Sequence, residues 1–180
     1  SLSTLIVTSH LKDGVDLCRD YKLPQIIIDL VQQHHGTTLV SYFYNRATEN
    51  EHGECIIEAD FRYEGPRPQT KEAALVMLAD SCEAAVRSIS RPNANRIEAT
   101  VRKIIRERLN DGQLDECDLT LRDLNIIGDV FIRILSGMFH ARIEYPEAIK
   151  ELERRKAKNG SSNKQCAGKD DSNAGNGKDV

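Results

Sequence analysis

The sequence has no Cys-x-x-Cys pair, no excess of basic residues and no long apolar run, and each absence disfavours a class of protein. Its five cysteines are odd in number and scattered, which disfavours a disulfide framework and a cysteine-based zinc site. A net charge of −3 offers no positive surface to duplex nucleic acid. No apolar run approaches the roughly 20 residues of a membrane-spanning helix. We therefore expect a chain in a reducing compartment, without a transmembrane helix of its own.

The length and composition indicate one domain followed by a tail. A chain of 180 residues is long enough for one domain with a core, and 39% hydrophobic and 29% charged residues are typical of a soluble helical protein. Because it starts at Ser1 rather than methionine and enters an apolar stretch at once, we expect a fragment of a longer protein. We divide it into a folded part, 1–157, and a tail, 158–180, whose near-absence of aliphatic side chains predicts disorder.

Apolar residues at helical spacing predict an all-α protein of six or seven helices. The helices are expected at 9–21, 24–35, 37–47, 70–89, 95–109 and 120–140, with a charged helix after Pro146. Residues 1–8 fit either a strand or the connection into a helix. Residues 48–69 predict a long polar loop. We expect Leu17, Ile26 and Ile27 to belong to the buried stripes of their helices.

Two adjacent histidines, His34 and His35, stand directly before Gly36 in the last turn of the second predicted helix. Two neutral imidazoles suit a divalent transition ion, which can generate a nucleophile for phosphodiester hydrolysis. Gly36 would let the chain turn away and leave room for a ligand. A solvated helix end is the alternative for this pair. His10 is a further candidate, with a satisfied structural histidine as its alternative.

Asp80 interrupts an apolar face of the helix predicted at 70–89. Its neighbours at helical spacing are Ala73, Val76, Met77, Ala84 and Arg87. We therefore expect a buried carboxylate, which must be paired, hydrogen-bonded or bound to a metal. A metal ligand and an ion pair with an arginine both remain open.

Four other positively ionisable side chains could contact a phosphate or a metal ion. Lys12 and Arg87 are candidate phosphate contacts, with a solvated surface or an ion pair as the alternative for each. His52 and His140 show no placement on a buried face, and we assign neither of them to a metal site.

Several stretches together resemble the HD-domain phosphohydrolase superfamily, and more narrowly the cytoplasmic domain of its seven-transmembrane members of the PgpH type. The resemblance covers roughly residues 1–150. Its most specific part is the run GPRPQTKEAALVMLADSCEAAVRS taken with the paired histidines. The other stretches that carry it are SHLKDGVDL, LPQIIIDLVQQHHGTTLVSYFY, DGQLDECDLTLRDL and FHARIEYPE.

The resemblance implies an all-α, HD-domain-like helical bundle that lacks its N-terminal helices. It also implies a bacterial signalling enzyme that opens cyclic di-AMP to a linear dinucleotide, with two divalent transition-metal ions, manganese or iron, as cofactors. By the family pattern, His10, His34 and His35 bind one ion and Asp80 binds the other. The chain would then be the cytoplasmic domain of a membrane protein, joined to the membrane through an N-terminal region that this sequence does not contain.

One departure from the family pattern is plain. The family is named for a His-Asp dyad, and no His-Asp dipeptide occurs in this chain. Because Ser1 lies close to the His10 motif, we expect the dyad upstream of residue 1. The alternatives are a non-catalytic helical signalling module that binds a nucleotide or a protein, and a purely structural helical adaptor. The adaptor requires Asp80 to be neutralised by an arginine and the histidines to face bulk water.

Overall fold

Helices make up most of the chain in the computed structural model, which describes residues 2–50 and 56–140. The bounds are α1 Leu2–Asp20, α2 Gln25–Gln33, α3 Ser41–Asn50, α4 Lys71–Arg87, α5 Ala94–Asn110 and α6 Leu121–His140. A short 3-10 turn covers Glu58–Phe61, and the pairing of extended backbone within the described residues is a single bridge between Leu39 and Arg62. The all-α prediction is confirmed.

Helix α1 begins at Leu2, so the undecided residues 2–8 are helical. It packs against α2 through Val15, Cys18 and Ile28, which form a small apolar cluster. The prediction for Leu17 is wrong, since its side chain is 58% exposed. Neighbouring residues point about 100° apart on a helix, so burying Cys18 turns Leu17 towards solvent.

The buried stripe of α2 also differs from the prediction. Ile26 and Ile27 are exposed, and Ile28 is the isoleucine of this helix that is buried. A helix of nine residues has room for only one narrow contact face, and α2 uses that face against α1 and α4. The run of three isoleucines did not by itself indicate which of them would lie inside.

The main core lies between α4, α5 and α6. Its buried members are Ala74, Leu78, Cys82, Val86, Ile97, Val101, Ile105, Leu114, Leu124 and Leu135. The helix starts are fixed by side-chain caps, as their sequences predict. Thr70 Oγ1 accepts a hydrogen bond from the amide of Ala73, and Asn93 Oδ1 accepts one from the amide of Arg96. These contacts confirm the helices expected near 70–89 and 95–109.

The loop predicted at 48–69 is shorter and more ordered than expected. Helix α3 continues to Asn50, and the segment after the 3-10 turn pairs with extended residues 38–40. The amide of Val40 donates to the carbonyl oxygen of Phe61 over 2.8 Å, and the amide of Tyr63 donates to that of Thr38 over 3.1 Å. This pairing delays the start of α3 to Ser41 and brings Tyr63 beside the turn that carries the two histidines.

Some predictions lie outside the described residues. They concern His52, the side chain of His140, the charged helix after Pro146 and the tail 158–180. Within the ranges that are described, no helix combines the length and the apolar character needed to cross a bilayer.

Candidate metal centre

A tight turn directly after α2 carries the histidine pair. The helix ends at Gln33, and His34 is its C-cap residue with φ −66° and ψ −16°. The prediction that the pair occupies the last helical turn is therefore wrong by about one residue. The cause is Gly36, which has φ +52° and whose amide donates to the carbonyl oxygen of Gln33 over 2.9 Å. This reversal is a conformation that favours glycine.

The turn brings three of the predicted metal ligands together. One ligand atom from each of His10, His34 and His35 lies within 4.8 Å of the other two. The ring centroids are 4.0 Å apart for His34 and His35, and 5.0 Å apart for His10 and His35. His10 projects from α1 and is exposed, whereas His34 and His35 are half-buried. The structural-adaptor alternative, in which the histidines face bulk water, does not fit the partial burial of His34 and His35.

Two of the three imidazoles are oriented by the backbone of their own helices. His34 Nδ1 lies 2.7 Å from the carbonyl oxygen of Val31. His10 Nδ1 is likewise hydrogen-bonded to the carbonyl oxygen of Val7, three residues earlier in α1. A carbonyl oxygen only accepts, so each Nδ1 is the donor of its contact, which leaves Nε2 as the ring nitrogen that can bind a metal ion. A backbone carbonyl bound to one ring nitrogen is a common way to fix the tautomer of a metal-binding histidine.

The third imidazole is held neutral by its surroundings. Burial, followed by the neighbouring His34 and His10 and by Arg108, lowers the pKa of His35 from 6.5 to about 3. His35 therefore stays unprotonated across the physiological range. Three imidazoles from two segments form a donor set that suits a divalent transition ion, so the residues present fit such a group.

Tyr63 covers one face of the cluster and was not predicted. Its ring stacks on His35 with centroids 4.4 Å apart and an interplanar angle of 18°. Burial, and then the negative charge of Asp80, raise the pKa of the Tyr63 hydroxyl. No signal in the sequence marked Tyr63, because it lies in an irregular segment and approaches the histidines only through the pairing of 38–40 with 61–63.

Asp80 is exposed, which corrects the expectation of a buried carboxylate. It lies two residues from both Leu78 and Cys82, which are two of the fully buried residues of α4, and a separation of two residues turns a side chain about 200° away. Asp80 is not paired with its predicted neighbour Arg87, whose guanidinium binds Glu83. Its charge nevertheless contributes to the raised pKa of Tyr63, so Asp80 stands on the histidine side of α4.

The two predicted phosphate contacts differ in their availability. Lys12 is exposed two residues after His10, and it lines a groove of about 430 Å³ together with Gln32 and Glu64. Arg87 is also exposed, but its guanidinium is paired with Glu83 one turn earlier, with Nε 2.9 Å from Oε1. Lys12 is thus the freer cation of the two.

Arg108 is a half-buried cation that sequence reasoning missed. Its guanidinium donates to Ser81 Oγ over 3.3 Å, burial lowers its pKa, and its charge helps to keep His35 neutral. A signal was available in the sequence. Arg108 continues the stripe Ile97, Val101 and Ile105 at a spacing of three to four residues, so it belongs to the buried side of α5.

Comparison with known proteins relates the chain to a protein family. Residues 3–85 match the HD domain family. The chain is 51% identical over 151 residues to "Cyclic-di-AMP phosphodiesterase PgpH" of Bacillus subtilis and 47% identical over 142 residues to the protein of that name from Listeria monocytogenes. These alignments cover 84% and 79% of this chain, but only 21% and 20% of the relatives' lengths.

A solved structure supports the fold. The crystal structure of the HD domain of the L. monocytogenes phosphodiesterase PgpH in complex with cyclic-di-AMP superposes with a TM-score of 0.73 at 46% identity. The match covers 76% of this chain and 63% of that chain.

Proposed function

We propose that the chain forms part of the site of a metal-dependent phosphodiesterase, because residues 3–85 match the HD domain family. The proposed reaction opens cyclic di-AMP to a linear dinucleotide. The substrate assignment rests on the names of the two relatives and on the cyclic-di-AMP complex of the similar HD domain.

The observation that carries the proposal is the cluster of three imidazoles whose ligand atoms lie within 4.8 Å of one another. His10, His34 and His35 would hold one divalent ion, manganese or iron, and Asp80 would bind a second ion. Asp80 is suited to this role because its carboxylate is exposed and is not paired with Arg87. Two such ions supply charge neutralisation at the phosphate and a water of lowered pKa.

The chain's own residues would hold and orient the substrate. Lys12 supplies a free positive charge two residues from His10 and would contact a phosphate oxygen. Arg87 would reach a phosphate only by exchanging its bond to Glu83, so we give it the weaker role. Tyr63 keeps water from one face of His35. From the resemblance to the seven-transmembrane members of the family, we propose that the chain works as the cytoplasmic domain of a membrane protein.

A chromatographic time course with cyclic di-AMP and Mn²⁺ tests the proposal. It compares this 180-residue chain with a longer form that extends upstream through a His-Asp dyad. The longer form should produce the linear dinucleotide, and the substitutions His34→Ala and His35→Ala should abolish the product. Glu98→Gln, at an exposed position on α5, is the matched control and should keep full activity.

The second candidate is the non-catalytic binding module, which the lack of a His-Asp dipeptide in this chain favours. Bound cyclic di-AMP without turnover by either form would support the module and contradict the phosphodiesterase. Retained turnover in both histidine variants would remove the metal-site assignment.

A further inference from the structure

The histidine-bearing turn is fixed to the end of α5 by the fully buried side chain of Gln113. The Oε1 atom of Gln113 accepts a hydrogen bond from the amide of Thr37 over 2.9 Å. Its Nε2 atom donates to Thr37 Oγ1 over 2.9 Å and to Asp111 Oδ2 over 3.0 Å. One side chain thereby satisfies both polar groups that Thr37 directs towards α5.

Local helix geometry explains why Gln113 reaches that position. Helix α5 is followed by Asp111 and then by Gly112, which has φ +66°. The amide of Gly112 donates to the carbonyl oxygen of Leu109, and the amide of Gln113 donates to that of Arg108. This is the Schellman pattern of helix C-termini, which reverses the chain sharply after the glycine. The Asn110-Asp111-Gly112 signal in the sequence thus places the next residue inside the molecule, facing the turn after α2.

A second contact holds the other side of the same residue. Arg62 Nη1 donates to the carbonyl oxygen of Thr37 over 2.8 Å. The Arg62 guanidinium also makes a two-point contact with the Asp111 carboxylate, at 3.1 and 2.9 Å. Asp111 therefore joins Gln113 and Arg62, and together the three side chains fix both the amide and the carbonyl of Thr37.

The position of Thr37 determines that of the imidazoles. Only Gly36 separates Thr37 from His35, and the carbonyl of His35 is itself bound by Thr38 Oγ1 over 2.8 Å. Gly36 packs so closely against Gln113 that a Cβ there would lie 2.5 Å from Oε1. A change at Gln113 is therefore transmitted through two residues of constrained backbone to His35 and His34.

We infer that Gln113 is a positioning residue for the metal-binding turn, acting with Arg62 and Asp111 to hold His34 and His35 in ligand geometry. The inference rests on the proposed metal site. None of these three side chains is among the clustered ligands, and Gln113 is fully buried, so its contribution is to preorganise the imidazoles rather than to bind the ion. Outer-shell partners of this kind typically change metal affinity by about 10–100-fold.

The test is an equilibrium Mn²⁺ titration of the full chain carrying Gln113→Met, a substitution that keeps the volume and removes the hydrogen bonds. Val101→Ala is the matched control, because Val101 is also fully buried on α5 but lies in the main core. Both variants should unfold at lower denaturant concentration. Gln113→Met should also weaken Mn²⁺ binding about tenfold or more, whereas Val101→Ala should leave the affinity unchanged.

A second variant covers the case in which Gln113→Met does not fold. Arg62→Gln removes the half-exposed contact to the Thr37 carbonyl, and it should weaken Mn²⁺ binding in the same direction. A folded Gln113→Met or Arg62→Gln chain that binds Mn²⁺ with wild-type affinity would overturn the inference but leave the proposed function intact. Failure of the wild-type chain to bind Mn²⁺ would instead contradict the proposed function, and the inference with it.

Discussion

The imidazole of His35 and the phenol of Tyr63 are stacked, with centroids 4.4 Å apart and planes inclined by 18°. Aromatic pairs of this kind contribute about 0.5–1.5 kcal/mol beyond the burial of their surfaces. Tyr63→Leu should therefore weaken Mn²⁺ binding by about 2- to 10-fold, because His35 would lose the contact that fixes its ring plane. Tyr63→Phe keeps the stack and should bind as the wild type does. An equal loss of Mn²⁺ affinity in Tyr63→Leu and Tyr63→Phe would assign the effect to the hydroxyl instead of the stack.

Gly36 should not tolerate a side chain. Its φ of +52° strains any residue with a Cβ, and that atom would meet Gln113 Oε1 at 2.5 Å and Met77 Cε at 2.8 Å. We predict that Gly36→Ala lowers the free energy of unfolding by about 2–4 kcal/mol, measured by urea denaturation.

Gly137 supplies the opposite control for that substitution. It lies within α6, and a Cβ there would meet nothing within 4 Å. Gly137→Ala should raise the free energy of unfolding by about 0.5–1 kcal/mol, because alanine has the higher helix propensity. A similar loss of unfolding free energy in Gly36→Ala and Gly137→Ala would show that the tight turn at Gly36 does not cause the destabilisation.

Asp111 should make stability depend on pH in the acid range. Burial alone would raise the pKa of its carboxyl, but the hydrogen bonds from Arg62 and Gln113 outweigh burial and lower it below 3.8. A group with a lowered folded pKa stabilises the fold above the unfolded value and loses that contribution as the pH falls through the folded pKa. The stability difference between wild type and Asp111→Asn should therefore be largest near pH 7 and shrink below about pH 4. A difference that does not change down to pH 2 would contradict the assigned pairing.

Cys82 should not react with thiol reagents in the folded chain. Its side chain is fully buried, and burial raises its pKa to about 12, so almost no thiolate forms at neutral pH. Cys117 is only half-buried. Iodoacetamide at pH 8 should modify Cys117 and leave Cys82 intact until the chain is unfolded, as peptide mass spectrometry would show. Early modification of Cys82 would mean that the α4–α5–α6 core opens readily.

Local signals in the sequence predicted the helices of the main core well. The helices predicted at 70–89 and 95–109 correspond to α4 and α5, whose starts are capped by Thr70 and Asn93. The same signals failed where tertiary contacts decide the outcome. Residues 37–40 were predicted to be helical, but Thr37 lies in the turn and residues 38–40 are extended, because they pair with residues 61–63.

Only part of the candidate site could be predicted from the sequence. His10, His34 and His35 could be named because adjacent histidines before a glycine, and the family resemblance, single them out. The burial of Asp80 was mispredicted, since an apolar helical neighbourhood does not say which side of α4 meets the core. The contact between Gln113 and Thr37 joins residues 76 positions apart, and no local pattern carries that information.

The measurement that tests the account most directly is the binding of Mn²⁺ to the 180-residue chain, followed by the electron paramagnetic resonance signal of the free ion. The wild-type chain should bind the ion, and the single substitutions His10→Ala, His34→Ala and His35→Ala should each abolish or strongly weaken that binding. Far-ultraviolet circular dichroism should show that the helix content is retained in all three. Binding that is unchanged in the three folded variants would contradict the assignment of this cluster as a metal centre.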